Sequence, residues 1–447
     1  MILRAADFIL QYEWVVLGMI ALPLLFPSPK LTPVMLALPI LWGLHWWRSG
    51  SPFPKTALNL PLLLLAVMLL VSLYATFSIE FSLSKISNIM LGFGIFFGIL
   101  RFASSRDRWI LSMGAFLMAG LVIAVLGLMG GIWPSKVPVL GEIGDALPQL
   151  VTGIQGAEIG FHPNQISGTL LWVVPLFWTV TVALFLLRTQ IFSRNRPLFQ
   201  WAAVILLLSI AISISAVLLM TQSRAAYMGL AGVSIVLLFP VLPRRARWPV
   251  LVVGLGLVVG LGVVLLGDSF SLSQEGFVSE IGASGALSVQ SLPARFEIWS
   301  RAVYGIQDFA FTGMGLNTFR RVVQVLYPLF AIAPDKDIAH AHNYLLQTAL
   351  DIGLPGLIAY LALMISSFTM LVQIWNHRPT FLFHPTLTTA FVLGLGGGLI
   401  AHSIYGLLDA VVLGAKPGFL WWWLLGLVAS LYRLSTKQMK ESLRSKL

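Results

Sequence analysis

The chain has 447 residues, 58% of them hydrophobic and only 10% charged, with no cysteine and a formal net charge of +11. That balance excludes a soluble domain of this length, and the missing cysteines exclude disulfides and thiol catalysis. It fits an all-α polytopic integral membrane protein, read as a single transmembrane domain over residues 1–447.

About twelve apolar stretches are long enough to cross ~30 Å of hydrocarbon. They lie near residues 11–27, 31–47, 57–77, 85–101, 109–133, 165–187, 200–221, 226–242, 249–267, 345–375, 383–406 and 410–432. Unbroken Leu/Val/Ile/Gly runs such as Val250 to Leu266 favour helices over the alternating strands of a barrel. The first run carries Arg4, Asp7 and Glu13 nearby and no small-residue cleavage site, so it reads as a retained helix rather than a removed signal peptide.

With the N-terminus inside and twelve spans, both termini are cytoplasmic. The inner side then holds 18 of the 28 basic residues and 4 of the 17 acids, a balance of +14 against −3 outside. The basicity is therefore the positive-inside bias, and no nucleic-acid partner is implied. Two long connections fall outside under this topology. One runs from Trp133 to Asn164. The other, about 268–340, is a periplasmic loop with short helices. Its Ser/Gly-rich first part (Ser269 to Gln290) precedes a helix-compatible stretch from Pro293 to Tyr327, an ordered element expected on the membrane surface.

Polar groups gather at the outer ends of the spans. His340-Ala-His342-Asn343, followed by Gln347, closes the long loop where the chain re-enters an apolar run. A histidine there suits general-base work; the plainer reading is a hydrogen-bonded structural residue. Asn343 is positioned as the N-cap of a helical extension that Gly353-Leu354-Pro355-Gly356 should kink. His340-x-His342 alone is weak grounds for a metal pair. Arg224, at the turn after Thr221-Gln222-Ser223, and Arg295, inside the long loop, face the side that the charge bias disfavours. So does Lys85, which opens the fourth span. An arginine at a membrane mouth can hold phosphate oxygens bidentately, or simply snorkel or pair with a carboxylate. His162, before Pro163, reads first as a span-entry turn. His402 and Asp409 flank the last outer turn and are expected to pair. Gly394-Leu395-Gly396-Gly397-Gly398 reads as close helix packing.

Taken in order, Thr221-Gln-Ser-Arg224, Arg295-x-x-x-Trp299, Gly313-Met-Gly315-Leu-Asn317, His340-Ala-His342-Asn343-x-x-Leu346-Gln347 and Gly353-x-x-Gly356 resemble the O-antigen ligase family, which includes Wzy-type polysaccharide polymerases. The resemblance covers roughly residues 200–370, a catalytic core that includes the loop. It implies a GT-C type glycosyltransferase of the bacterial inner membrane, active on the periplasmic face. Such an enzyme moves a glycan from an undecaprenyl-diphosphate carrier to an acceptor hydroxyl, on lipid A core or on another lipid-linked glycan, with inversion and with neither metal nor cofactor. By position, Arg224 and Arg295 match the arginines that hold the diphosphate, and His342 matches the base. His340, Asn343, Gln347, Lys85 and His162 are supporting candidates. The alternatives are a flippase for lipid-linked oligosaccharide and a structural scaffold. A flippase would be expected to carry polar groups deep within several spans, and these spans are nearly free of charge.

Overall fold

The computed structural model describes residues 2–28, 30–154, 158–191, 197–238, 242–267, 292–377 and 382–444. Among the described residues the regular elements are helices, with an isolated β-bridge between Gly131 and Phe161. In chain order the helices are α1 (Ile2–Gln11), α2 (Glu13–Leu25), α3 (Ala37–Ser49), α4 (Asn59–Ala75), α5 (Ile79–Phe102), α6 (Arg106–Gly130), α7 (Pro138–Ala146), α8 (Pro163–Leu170) and α9 (Val174–Ile191). They continue as α10 (Pro197–Met220), α11 (Arg224–Leu238), α12 (Arg244–Gly267), α13 (Leu292–Asp308), α14 (Phe319–Leu326), α15 (Tyr344–His377), α16 (Pro385–Gly406) and α17 (Phe419–Arg444).

Six segments are long and apolar enough to cross a membrane: α5, α6, the continuous α8–α9 segment Pro163–Ile191, α10, α15 and α16. Three further apolar helices are shorter, α2, α4 and α11. The chain is thus a polytopic helical membrane protein. Its outer surface agrees: Leu60, Leu70, Leu198, Ile205 and Leu206 are all more than half exposed. A bundle that exposes this much leucine is matched to hydrocarbon, not water. Polar Ser269 to Gln290, read from the sequence as the start of the long loop, lies outside the described residues.

The last expected span, 410–432, shifts in the structure. Helix α16 stops at Gly406, and α17 does not start until Phe419. Residues 407–418 form a loop that turns at Gly414, whose φ is +77°. This loop carries Asp409 into the protein, where it is buried.

Helix α16 packs on α9 and α11, α17 on α5 and α6, and α15 on α4, α13, α16 and α17. Close approach comes from the small-residue stripe of α16. A Cβ on Gly398 would lie 2.5 Å from the Trp172 carbonyl oxygen. The expectation of close helix packing there holds, and Trp172 is fully buried beside it.

The stretch 292–341 is an ordered cap with a small apolar core of its own. On α13, Ala294, Ile298 and Ala302 bury one stripe against Phe319, Val323, Ile332, Ile338 and Leu350. The Glu297 carboxylate accepts the Phe330 and Ala331 backbone amides at 2.6 and 3.0 Å, and Arg301 Nε donates to Pro328 O at 2.8 Å. The cap also repairs the kink in α15. Ile352 and Gly353 leave the helical region there. Met314 N donates to the Leu350 carbonyl at 2.6 Å, and Leu354 N donates to the Ala310 carbonyl at 2.8 Å. The Gly313-Met-Gly315 and Gly353-x-x-Gly356 motifs therefore belong to one joint.

Candidate functional site

The His340–Asn343 turn is built by the first residues of α15. Asn343 Oδ1 accepts the Leu345 and Leu346 amides at 2.9 and 3.0 Å, an N-cap as its position predicts. Its amide reaches across to the Leu407 carbonyl at 3.0 Å. The residue before it, His342, has φ +48°. A non-glycine residue there costs roughly 1–2 kcal/mol and must be held by its surroundings. Gln347 supplies the hold: its Oε1 accepts the Ala341 amide at 2.8 Å, and its Nε2 donates to Asp351 Oδ1 at 2.8 Å. His340 Nδ1 accepts the His342 amide at 3.1 Å. Burial and the neighbouring His342 push the His340 imidazole down to about 3, against the opposing pull of Asp409. His340 is therefore neutral, with one ring nitrogen committed to the backbone.

Asp409 meets this turn from the 407–418 loop. Its Oδ1 lies 3.5 Å from His342 Nδ1 and 3.8 Å from His340 Nε2, and accepts the Ala410 amide at 2.8 Å. Its Oδ2 accepts the Asn164 side-chain amide and lies 3.9 Å from Arg295 Nη2. Burial alone would raise this carboxyl. His342, His340 and Arg295 outweigh burial and hold it below the usual carboxylate range. Arg295 is anchored by Nη1 to the Leu408 carbonyl at 2.5 Å, while its buried Nε has no hydrogen-bond partner among the described residues. The expected His402–Asp409 pair is not formed. His402 Nδ1 instead meets the Gly168 carbonyl at 3.0 Å, and its ring lies on Trp172. Helix α16 ends at Gly406, so Asp409 leaves the helix face that carries His402.

Gln222 sets the third wall. It has φ +48°, its Oε1 accepts the Val137 amide at 2.8 Å, and its Nε2 donates to the Pro134 carbonyl. This staples residues 134–137 over the α10–α11 turn. Lys136 then stands beside Arg224 and Arg295. Burial first, then the charges of those two arginines, lowers its ammonium, with Asp409 opposing. His162 caps α8 through its Nδ1 and the Asn164 amide at 3.3 Å. Its imidazole is also lowered by burial, against Asp409 and with His342 and Lys136.

The structure thus brings Arg224, Arg295, His162, His340, His342 and Asn343 to one place. Lys85 stands beyond His340, facing Asp351 with Arg320 and Lys416 nearby. Asp409, Lys136 and Asn164 are the members that sequence reasoning did not place there. Lys136 carried a signal, a cation on the side the charge bias disfavours. Asp409 carried only proximity to the wrong partner. Ligand atoms of His340, His342 and Asp409 lie within 4.8 Å of one another, a spacing that a metal ion could bridge. Arg295 and Lys136 face the same carboxylate, with Arg224 beside Lys136, and these charges oppose a divalent cation there. The cluster is better suited to an anionic ligand beside a base.

No curated protein gives a significant match to the chain. Residues 208–361 match the family model described as O-antigen ligase. The matched span includes Arg224, Arg295, His340, His342, Asn343 and Gln347, and stops short of Asp409. Over residues 208–361, this helical membrane protein is similar to the O-antigen ligase family.

Proposed function

We propose that the protein transfers a glycan from an undecaprenyl-diphosphate carrier to an acceptor hydroxyl at the periplasmic face of the bacterial inner membrane. The observation that carries this reading is the placement of His342 against Asp409, with Arg295, Lys136 and Arg224 gathered beside them. Asp409 takes the Nδ1 proton side of His342 and leaves Nε2 as the base. The acceptor O–H gives its proton to Nε2 as its oxygen attacks the anomeric carbon. The bond from that carbon to the diphosphate oxygen breaks, and the leaving diphosphate takes the electron pair. Arg295, Arg224 and Lys136 offset the charge that develops on it. One displacement of this kind inverts the anomeric centre. No metal is needed where three cations already serve the leaving group. The acceptor is lipid A core or another lipid-linked glycan. The family match supports a ligase- or polymerase-type glycosyltransferase in general.

Purified protein in nanodiscs, given a lipid-diphosphate glycan and candidate acceptors without nucleotide or metal, tests the reading. Glycosylated acceptor, undiminished by a chelator, is expected. Movement of the donor between leaflets with no transfer would favour a flippase instead.

A further inference from the structure

The strongest unassigned feature is a cavity of about 1220 Å³ away from the site. It is lined by the C-terminal halves of α11 and α15, the first turns of α12, and parts of α9 and α16. The candidate site sits at the N-terminal ends of α11 and α15, so the cavity lies at the opposite end of the bundle. It exceeds the roughly 300–1,000 Å³ of ordinary small-molecule pockets. Its walls are almost wholly apolar, with Leu237, Leu371 and Trp375 among them, and Ser234 is one of few hydroxyls. None of the described lining residues is acidic, yet two arginines, Arg244 and Arg247, line it. Arg247 is held by its Nε, which donates to the Leu242 carbonyl at 3.1 Å.

The surroundings place this opening at headgroup depth. Arg188 stacks over Phe185 and Trp201, at 4.6 and 4.7 Å from the ring centres, and Trp248 beside Arg247 is 70% exposed. Tryptophan and arginine at one level mark a membrane–water interface. An apolar cavity at this level excludes a water-soluble ligand. Two arginines in an otherwise apolar lining favour an occupant with an anionic head. The reacting end of a lipid-diphosphate donor belongs at the other end of the bundle.

The geometry points to a structural binding site for an anionic phospholipid of the leaflet opposite the active site, with its acyl chains in the cavity and its phosphate between Arg244 and Arg247. The lipid fills a gap between α12 and the α9–α16 wall that the described side chains leave open.

The test is native mass spectrometry of the protein with phosphatidylglycerol or phosphatidylcholine, and with three variants. Wild-type protein is expected to retain phosphatidylglycerol preferentially. Arg244→Gln together with Arg247→Gln should weaken that binding by about thirtyfold, the effect of two surface cations on an anionic lipid. Arg245→Gln is the control, because Arg245 is exposed and does not line the cavity. It should shift affinity less than about threefold. Ser234→Trp fills the cavity without changing charge and should also reduce retention, which keeps the test open if the double variant fails to fold. Equal retention of the two lipids, an Arg245→Gln effect as large as the double variant's, or undiminished binding in Ser234→Trp would each overturn the assignment.

Discussion

His342 Nδ1 lies 3.5 Å from Asp409 Oδ1, although one residue precedes α15 and the other follows α16. At this distance the pair is longer than a formed hydrogen bond, as often holds before substrate tightens a site. The pairing gives His342 an orientation that the sequence could not supply. His342→Ala should lower transfer by about 10²–10⁴-fold, the usual worth of a general base, while leaving donor binding in place. Asp409→Asn should lower kcat in the same direction, because His342 loses the carboxylate that orients it. Wild-type turnover in His342→Ala would sink the base assignment.

Arg224, Arg295 and Lys136 act on one anion in this reading. Arg295→Lys keeps the charge but loses the fork, and should cost about tenfold or more in kcat/KM. Lys136→Ala should weaken donor binding, and weaken it more at low salt than at high. Steady-state kinetics with donor varied, at two ionic strengths, separates these effects. Near-normal kinetics with alanine at both arginines would remove the diphosphate role.

Gln347 touches no substrate in this arrangement, yet it braces the left-handed backbone at His342. Gln347→Leu leaves the Ala341 amide without its acceptor and Asp351 without its donor. Each lost buried partner costs roughly 1–3 kcal/mol. A lower Tm is expected together with a fall in kcat beyond what the lost stability explains at a temperature where the variant is folded. Unchanged kcat in folded Gln347→Leu would show that the turn holds itself.

His340 makes a pH prediction. Its imidazole is pushed down to about 3 from an ordinary 6.5, so the unfolded chain binds a proton before the folded one does. The stability this represents is complete above pH 6.5 and is lost as pH falls toward 3. From pH 3.8 downward, protonation of Asp409 adds to the loss. His340→Asn keeps a side-chain acceptor two residues before the His342 amide but cannot titrate. Thermal melts across pH 7 to 4 should therefore fall less steeply in His340→Asn than in the wild type. Parallel curves would contradict the buried neutral state of His340.

The joint between the cap and α15 tolerates little. Gly353 has φ +72°, and a Cβ there would lie 2.1 Å from the Phe311 carbonyl oxygen. Gly353→Ala should destabilise by at least about 2 kcal/mol, strain and contact together. Gly18 in α2 has nothing within 4 Å of a built Cβ, so Gly18→Ala should be neutral or stabilising. Equal melting temperatures for the two variants would mean that the joint is not formed as described.

The sequence made legible a set of apolar helices, the kink at Gly353-x-x-Gly356, the Asn343 cap, the His162 turn and the packing role of the Gly394–Gly398 stripe. Each follows from local rules: hydrophobic run length, cap chemistry, proline and glycine backbone preference. It also marked Arg224, Arg295 and His342, through a motif order and through charge on a disfavoured side. Tertiary structure alone decided what meets His342. The 407–418 loop read as the start of a span, because its residues are as apolar as a helix; only packing against Lys85 and Asn164 shows that it folds inward with Asp409. Lys136 joins the cations because Gln222 staples a distant segment over the α10–α11 turn. Local propensity fixes elements over a few residues, whereas a charge cluster depends on which elements pack together, and burial then sets what those charges can do.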